Sequence, residues 1–206
     1  MYNLIVKDLI LMKKMLLMLF GFAIFFGLLG NPPTFSMCLI GLFLITGTGH
    51  FEDRNQSHIM LNSLPLSRKQ IISSKYVGAI VSALYATILT IFVHFLFTLF
   101  IPQTSADVRQ ILVGIMIILM MAAFYYPILY KFGVKYVRMI VFSIFVFVII
   151  FGRIVLYVFS DQVETVKQFF MQFTADQLVL TFLFTTVVIF LISWVLSIKI
   201  YEAKEF

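Results

Sequence analysis

The sequence predicts an all-α fold: an integral membrane bundle of six transmembrane helices occupying the single domain 1–206. Three observations predict it. First, 62% of residues are hydrophobic and 12% charged, whereas a soluble domain has about 45–50% apolar and about 25% charged residues, so this chain cannot clothe itself in a water-compatible surface. Second, the apolar residues come in long runs separated by short polar clusters. Third, the runs lack the ~10-residue alternating pattern of a membrane barrel, which leaves the helix as the structure that satisfies its own backbone in lipid.

A helix crosses the hydrocarbon with about 20 apolar residues, within a range of about 17 to 25. The first span is read over residues 15–30 and stops at Asn31-Pro32-Pro33, where consecutive prolines remove backbone donors. The second, residues 34–49, is short and ends in Gly47-Thr48-Gly49. A short span must tilt little, continue past His50 as an extension, or be partly enclosed by protein. The third span covers 76–101 and ends at Pro102, and the fourth covers 111–130 with Pro127 in its last turn. The fifth, 139–159, contains Arg153, and the sixth runs over 178–198.

Charge orients the bundle. With the N-terminus in the cytosol, Lys7, Lys13, Lys14, Arg54, Arg68, Lys69, Lys75, Lys131, Lys135, Arg138, Lys199 and Lys204 lie inside, twelve of the fifteen basic residues. Arg109, Arg153 and Lys167 fall outside or in the outer half. Five acidic residues lie inside and four outside, so the net +6 divides into +7 and −1. That bias places both termini in the cytosol. The basic excess is therefore a topology signal, and no nucleic-acid partner is expected. The single cysteine, Cys38, excludes an internal disulfide and any multi-cysteine metal site. Residues 1–20 lack a small-x-small cleavage site, so the N-terminus reads as retained.

Three segments are neither spans nor turns. Residues 1–14 put Leu4, Ile5, Leu9 and Met12 on one helical face, as an interfacial elbow helix would. The alternative is that they lengthen the first helix, with Lys13 and Lys14 snorkelling. In residues 160–176, Ser160 or Asp161 can cap a helix in which Val163, Val166, Phe169, Phe170 and Phe173 recur at helical spacing, which predicts an external helix between the last two spans. The third segment, residues 50–76, is the one long polar stretch, and long loops in an economical chain are usually functional. Ile59, Met60, Leu61 and Leu64 offer an apolar side, Leu64-Pro65 interrupts, Ser67 is placed to cap, and Arg68 to Lys75 restart a helix feeding the third span. Such a helix under the membrane needs lipid headgroups or another protein to dock against.

On these residues the chain resembles the small permease subunits of bacterial ABC transporters of the ABC-2 exporter type. Phe51-Glu52-Asp53-Arg54-Asn55 follows the second span, and Leu64-Pro65-Leu66-Ser67-Arg68-Lys69-Gln70-Ile71, then Ser74-Lys75-Tyr76, precede the third. The resemblance implies that residues 50–76 are a coupling loop whose helix sits in a cleft of a separate ATP-binding subunit. It implies two such subunits, a second permease copy or a sister permease, and a bacterial cell membrane. Within the family the chain is most similar to short Gram-positive permeases that export phenol-soluble modulins or give resistance to peptide antibiotics. The expected coupling residues are Glu52, Arg54, Leu61, Leu64, Pro65, Leu66, Ser67, Arg68, Lys69 and Lys75.

The chemistry agrees with that division of labour. No Gly-x-x-x-x-Gly-Lys-Ser/Thr run occurs, so the phosphate-cradling loop of an ATPase is missing, no cofactor is expected on this chain, and ATP and Mg belong to the partner. Leu64, Pro65 and Leu66 supply an apolar plug for the partner's groove, while Arg68 and Lys69 supply rim charges. Glu52 and Arg54 suit an ion pair at the base of the bundle.

Ionisable residues within spans are functional candidates by default. Arg153 lies 15 residues after Arg138 and His94 lies 19 after Lys75, which places them ~22 Å and ~28 Å along their helices, in the outer half. Facing inward, they would line a translocation path. The plainer readings are that Arg153 snorkels or pairs with Asp161 and that His94 packs inside the bundle. His50, Glu52 and His58 lack the spacing of a zinc site, and no Gly-x-Ser-x-Gly elbow or intramembrane acidic pair points to a hydrolase. The competing functional class is an ATP-independent membrane hydrolase or immunity protein. With few polar groups in the spans, the expected cargo is amphipathic, a small peptide or a lipophilic drug.

Overall fold

The computed structural model describes residues 13–54, 67–98, 107–134, 136, 137, 139, 140, 143 and 173–203, with side chains omitted for 48–54. Five helices result: α1 (Lys13–Leu28), α2 (Pro33–Arg54), α3 (Arg68–Thr98), α4 (Val108–Phe132) and α5 (Ala175–Glu202). Among the described residues there is no strand. The helices α3, α4 and α5 are long and apolar enough to cross a membrane, and Pro33–Gly47 within α2 is a shorter apolar stretch. The protein is a membrane protein, all-helical among the described residues.

Helix ends follow from local chemistry. Helix α1 stops where Gly30 takes φ +68° and its N–H bonds to the Gly27 carbonyl at 3.1 Å, a left-handed conformation that glycine adopts without cost. Prolines 32 and 33 then start α2, Pro33 as its first residue, where the missing N–H is harmless. Helix α2 does not stop at Gly49 but continues to Arg54, which is the extension its short apolar stretch allows. Asp107 caps α4 by accepting from the Arg109 N–H at 3.1 Å. At its other end Gly133, with φ +84°, donates to the Leu129 carbonyl at 2.9 Å. Thr174 and Gln177 form a reciprocal capping box on α5 at 3.3 and 3.0 Å.

Cross-helix contacts give the directions. Thr34 donates to the Gln110 carbonyl at 3.2 Å, Gly114 lies against Met37, and Gly41 lies against Ile118, so α2 and α4 run parallel in constant register. Arg109 pairs with Asp176 at 3.1 Å at one end of α4 and α5, and Tyr130 meets Tyr201 edge-on at the other. Those two helices are therefore also parallel. Helix α3 runs against them and sits centrally, with Ala79, Ala83 and Ala86 buried to let its neighbours approach. Helix α1 runs with α3, as Tyr85 to the Leu16 carbonyl (3.2 Å) and Phe20 with Phe92 require.

The core is made of Tyr126, Met37, Ile40, Ile45, Ile72, Ile118 and Val93, none more than a few per cent exposed. Val137, also buried, is one of the described helical residues beyond Gly133. Lys13, Lys14, Arg68, Lys69, Lys75, Lys131 and Lys199 belong to the half of the bundle that holds the start of α3 and the end of α5, hereafter the basic end. Arg109 is the one basic residue described at the opposite end.

The expected elbow at 1–14, apart from Lys13 and Lys14, lies outside the described residues, as does most of the expected fifth span and of the external segment 160–176. Of that last segment Ala175 and Asp176 belong to the first turn of α5.

Candidate functional site

The richest polar chemistry in the described structure gathers at the basic end, where α3 begins. Ser67 and Gln70 close a reciprocal box there: the Gln70 N–H donates to the Ser67 hydroxyl at 3.3 Å and the Ser67 N–H to Gln70 Oε1 at 3.2 Å. The Ser67 cap expected from sequence is present. Capping fixes where the helix starts and is worth about 1 kcal/mol. From Arg68 the helix continues unbroken for 31 residues, ~46 Å at 1.5 Å per residue, against ~30 Å of hydrocarbon. The helix is therefore longer than the hydrocarbon is thick, and its exposed first turn is continuous with a central span.

Arg68, Lys69 and Gln70 on that turn are exposed. The Arg68 guanidinium turns to the end of α5 and donates to the backbone carbonyls of Glu202 at 3.0 Å and Tyr201 at 3.4 Å. A helix C-terminus carries unpaired carbonyls and partial negative charge, so an arginine there is doubly suited. One and a half turns on, the Trp194 indole N–H donates to the Ser73 hydroxyl at 3.2 Å. Then Tyr76, 3% exposed, shares its hydroxyl between Ser193 at 2.6 Å and Ser197 at 2.7 Å. Ser193 in turn donates to the Ala123 carbonyl of α4. Rings complete the seam: Tyr76 lies 5.0 Å from Tyr126 and 5.1 Å from Phe190 between centroids, and Tyr126 continues to Tyr130 and Tyr201.

The sequence-derived coupling residues divide accordingly. Ser67, Arg68 and Lys69 are together on the exposed start of α3. Lys75, grouped with them by sequence, is instead 7% exposed and belongs to the bundle interior, because it stands three residues after Ile72 and four before Ala79, both of which face the core. Leu61, Leu64, Pro65 and Leu66 lie outside the described residues, as do the side chains of Glu52 and Arg54; the backbone places the latter two in the last turn of α2. His94 is buried at 6% exposure in the far half of α3, in keeping with the packed reading. Arg153 lies outside the described residues, so no vestibule shared with His94 is described.

Sequence reasoning missed Ser193, Ser197, Ser73 and Trp194, and saw in Tyr76 a part of the loop's closing segment but not its tie to the last helix. The signal was available: two serines spaced i and i+4 around the single tryptophan interrupt the apolar run of the last span, and a hydroxyl pair on one helix face in lipid needs a partner on another helix.

Comparison with known proteins bears on what this end does. A family model described as "ABC-2 family transporter protein" matches residues 3–202. No curated protein and no solved structure matches the chain.

Proposed function

Because this chain belongs to the ABC-2 family of transporter proteins, and is thereby a permease subunit that associates with an ABC ATP-binding subunit, we propose that residues 50–76 are its coupling element. The observation carrying this reading is the continuity of the loop with the bundle. Helix α2 runs on to Arg54 and α3 starts at a capped Ser67, so residues 55–66 connect the ends of two helices of the bundle. A docking partner moving that loop would move two spans directly. Leu61, Leu64, Pro65 and Leu66 insert into the partner's cleft, Lys69 and Glu52 with Arg54 flank it, and Arg68 braces the loop against α5.

The finer architecture follows the same premise. Both termini are cytosolic, since the basic end gathers seven of the eight basic side chains described. Six spans are supported by direction: α4 and α5 run parallel, so the chain between them has to return from one end of the bundle to the other. The segment 1–14 serves as the elbow and 160–176 as the external helix. Two copies, or this chain and a sister permease, assemble with two ATP-binding subunits that hold ATP and Mg, in the cell membrane of a bacterium. The cargo is an amphipathic peptide or lipophilic drug, with Arg153 as a residue of its path and His94 packed inside the bundle.

The test is substitution in the loop. Leu64→Asp with Leu66→Asp is expected to abolish co-purification of the ATP-binding subunit and its stimulated ATP hydrolysis. A double variant that keeps the partner bound and hydrolysis unchanged overturns the assignment.

A further inference from the structure

Helix α5 is far in sequence from the loop 50–76, yet α3 holds it at three successive levels: Arg68 to the Tyr201 and Glu202 carbonyls, Ser73 to Trp194, and Tyr76 to Ser193 and Ser197. These levels span residues 68–76, ~12 Å of helix. Each bond is directional, and a slide of one residue along the seam, ~1.5 Å, would break most of them. Ser197 is fully buried and Ser193 and Tyr76 nearly so, so in lipid the broken groups would find little else to bond. The contact of α3 with α1 is different in kind. Among the described residues it includes Phe20 against Phe92, Gly27 against Val93 and Phe97, and a bond from Tyr85 to the Leu16 carbonyl. Ring and methyl contacts tolerate a slide that hydroxyl networks do not.

We propose that α3 and α5 stay locked as one rigid pair through the transport cycle, with Arg68, Tyr76, Ser193 and Ser197 as positioning residues that deliver displacement of the loop to the last helix. The proposal rests on the coupling role of residues 50–76. A push on the loop enters α3 at Arg68 and Lys69, and the seam passes it to α5 without slack. Through Ser193 and the Ala123 carbonyl, α4 is drawn into the same block. Discrete packed elements that move as bodies are the usual carriers of such transitions.

The experiment uses the complex with its ATP-binding subunits in lipid, in a Cys38→Ser background. Spin labels at Val77→Cys and Ile192→Cys, both on exposed positions at one level of the seam, report the α3–α5 distance. A separate label at Lys69→Cys reports engagement of the loop. The Lys69 label is expected to change mobility when the ATP-binding subunit docks. The Val77–Ile192 distance is expected to stay unchanged, within about the ~1.5 Å of one residue's slide, between the nucleotide-free and the MgATP-vanadate-trapped states. A distance change of several ångströms in the native seam overturns the rigid pair while leaving the loop's role standing. A silent Lys69 label overturns the coupling role, and this proposal with it. In Tyr76→Phe, partner binding and the Lys69 response are expected to persist while stimulated ATP hydrolysis falls several-fold and the distance distribution broadens. Unchanged hydrolysis in that variant contradicts a positioning role, and if the variant fails to assemble, the native distance alone decides.

Discussion

Two seams hold this bundle together by opposite means. Helices α2 and α4 meet through glycine: a Cβ on Gly41 would lie 2.5 Å from Ile118 Cγ1, and one on Gly114 would lie 2.8 Å from Met37 Sδ. Helices α3 and α5 meet through hydroxyls, an indole and a guanidinium. Lipid tails are as apolar as leucine, so burial alone gives helices little reason to associate, and close backbone approach or interhelical hydrogen bonds must do it. The steric seam is therefore vulnerable to added volume. The polar seam is vulnerable to removed bonds, and it is the one that lies at the end where the loop joins.

Substitutions separate the two. Gly41→Val forces branched carbon into the fully buried Ile118 side chain and is expected to destabilise the bundle by about 1–3 kcal/mol, read as a lower unfolding midpoint in lipid nanodiscs. Gly21→Ala is its control: nothing lies within 4 Å, so it is expected to leave the midpoint unchanged or to raise it by less than about 1 kcal/mol. Tyr76→Phe keeps the ring and removes the shared hydroxyl, with an expected loss of about 0.6–1.7 kcal/mol. Arg68→Gln removes the charge from the end of α5 and is expected to cost about 0.3–1 kcal/mol, a loss that shrinks with added salt. The smallest effect belongs to the opposite end. The Arg109–Asp176 pair is more than half exposed on both sides, and Arg109→Ala is expected to change stability by less than about 1 kcal/mol.

Much of this was legible in the sequence. Asn31-Pro32-Pro33 marks the break between α1 and α2, the apolar runs locate α4 and α5 to within about a turn, the start of α3 falls at Arg68 where the sequence restarts a helix rather than at the edge of its apolar run, and Ser67 is the cap it was expected to be. Those features are local: a proline lacks a donor and a serine oxygen reaches its own helix wherever the rest of the chain goes. What escaped depends on the packing of distant segments. Lys75 reads as one more basic loop residue, and its burial follows from the phase of α3 relative to its neighbours. Arg68 reads as a rim charge, and its turn toward Glu202 requires knowing that the C-terminal end of α5 lies beside the start of α3. Gly41 and Gly114, 73 positions apart, gain meaning from the parallel register of α2 and α4.

The loop between α2 and α3 is the proposed place where the ATP-binding subunit acts on this permease. A photo-crosslinking residue placed at Leu64 or Leu66 tests it most directly in the assembled complex. A covalent adduct between this chain and the ATP-binding subunit is expected, with yield that changes on trapping the nucleotide. An intact complex that gives no such adduct from either position, while a probe elsewhere on the chain does, would contradict it.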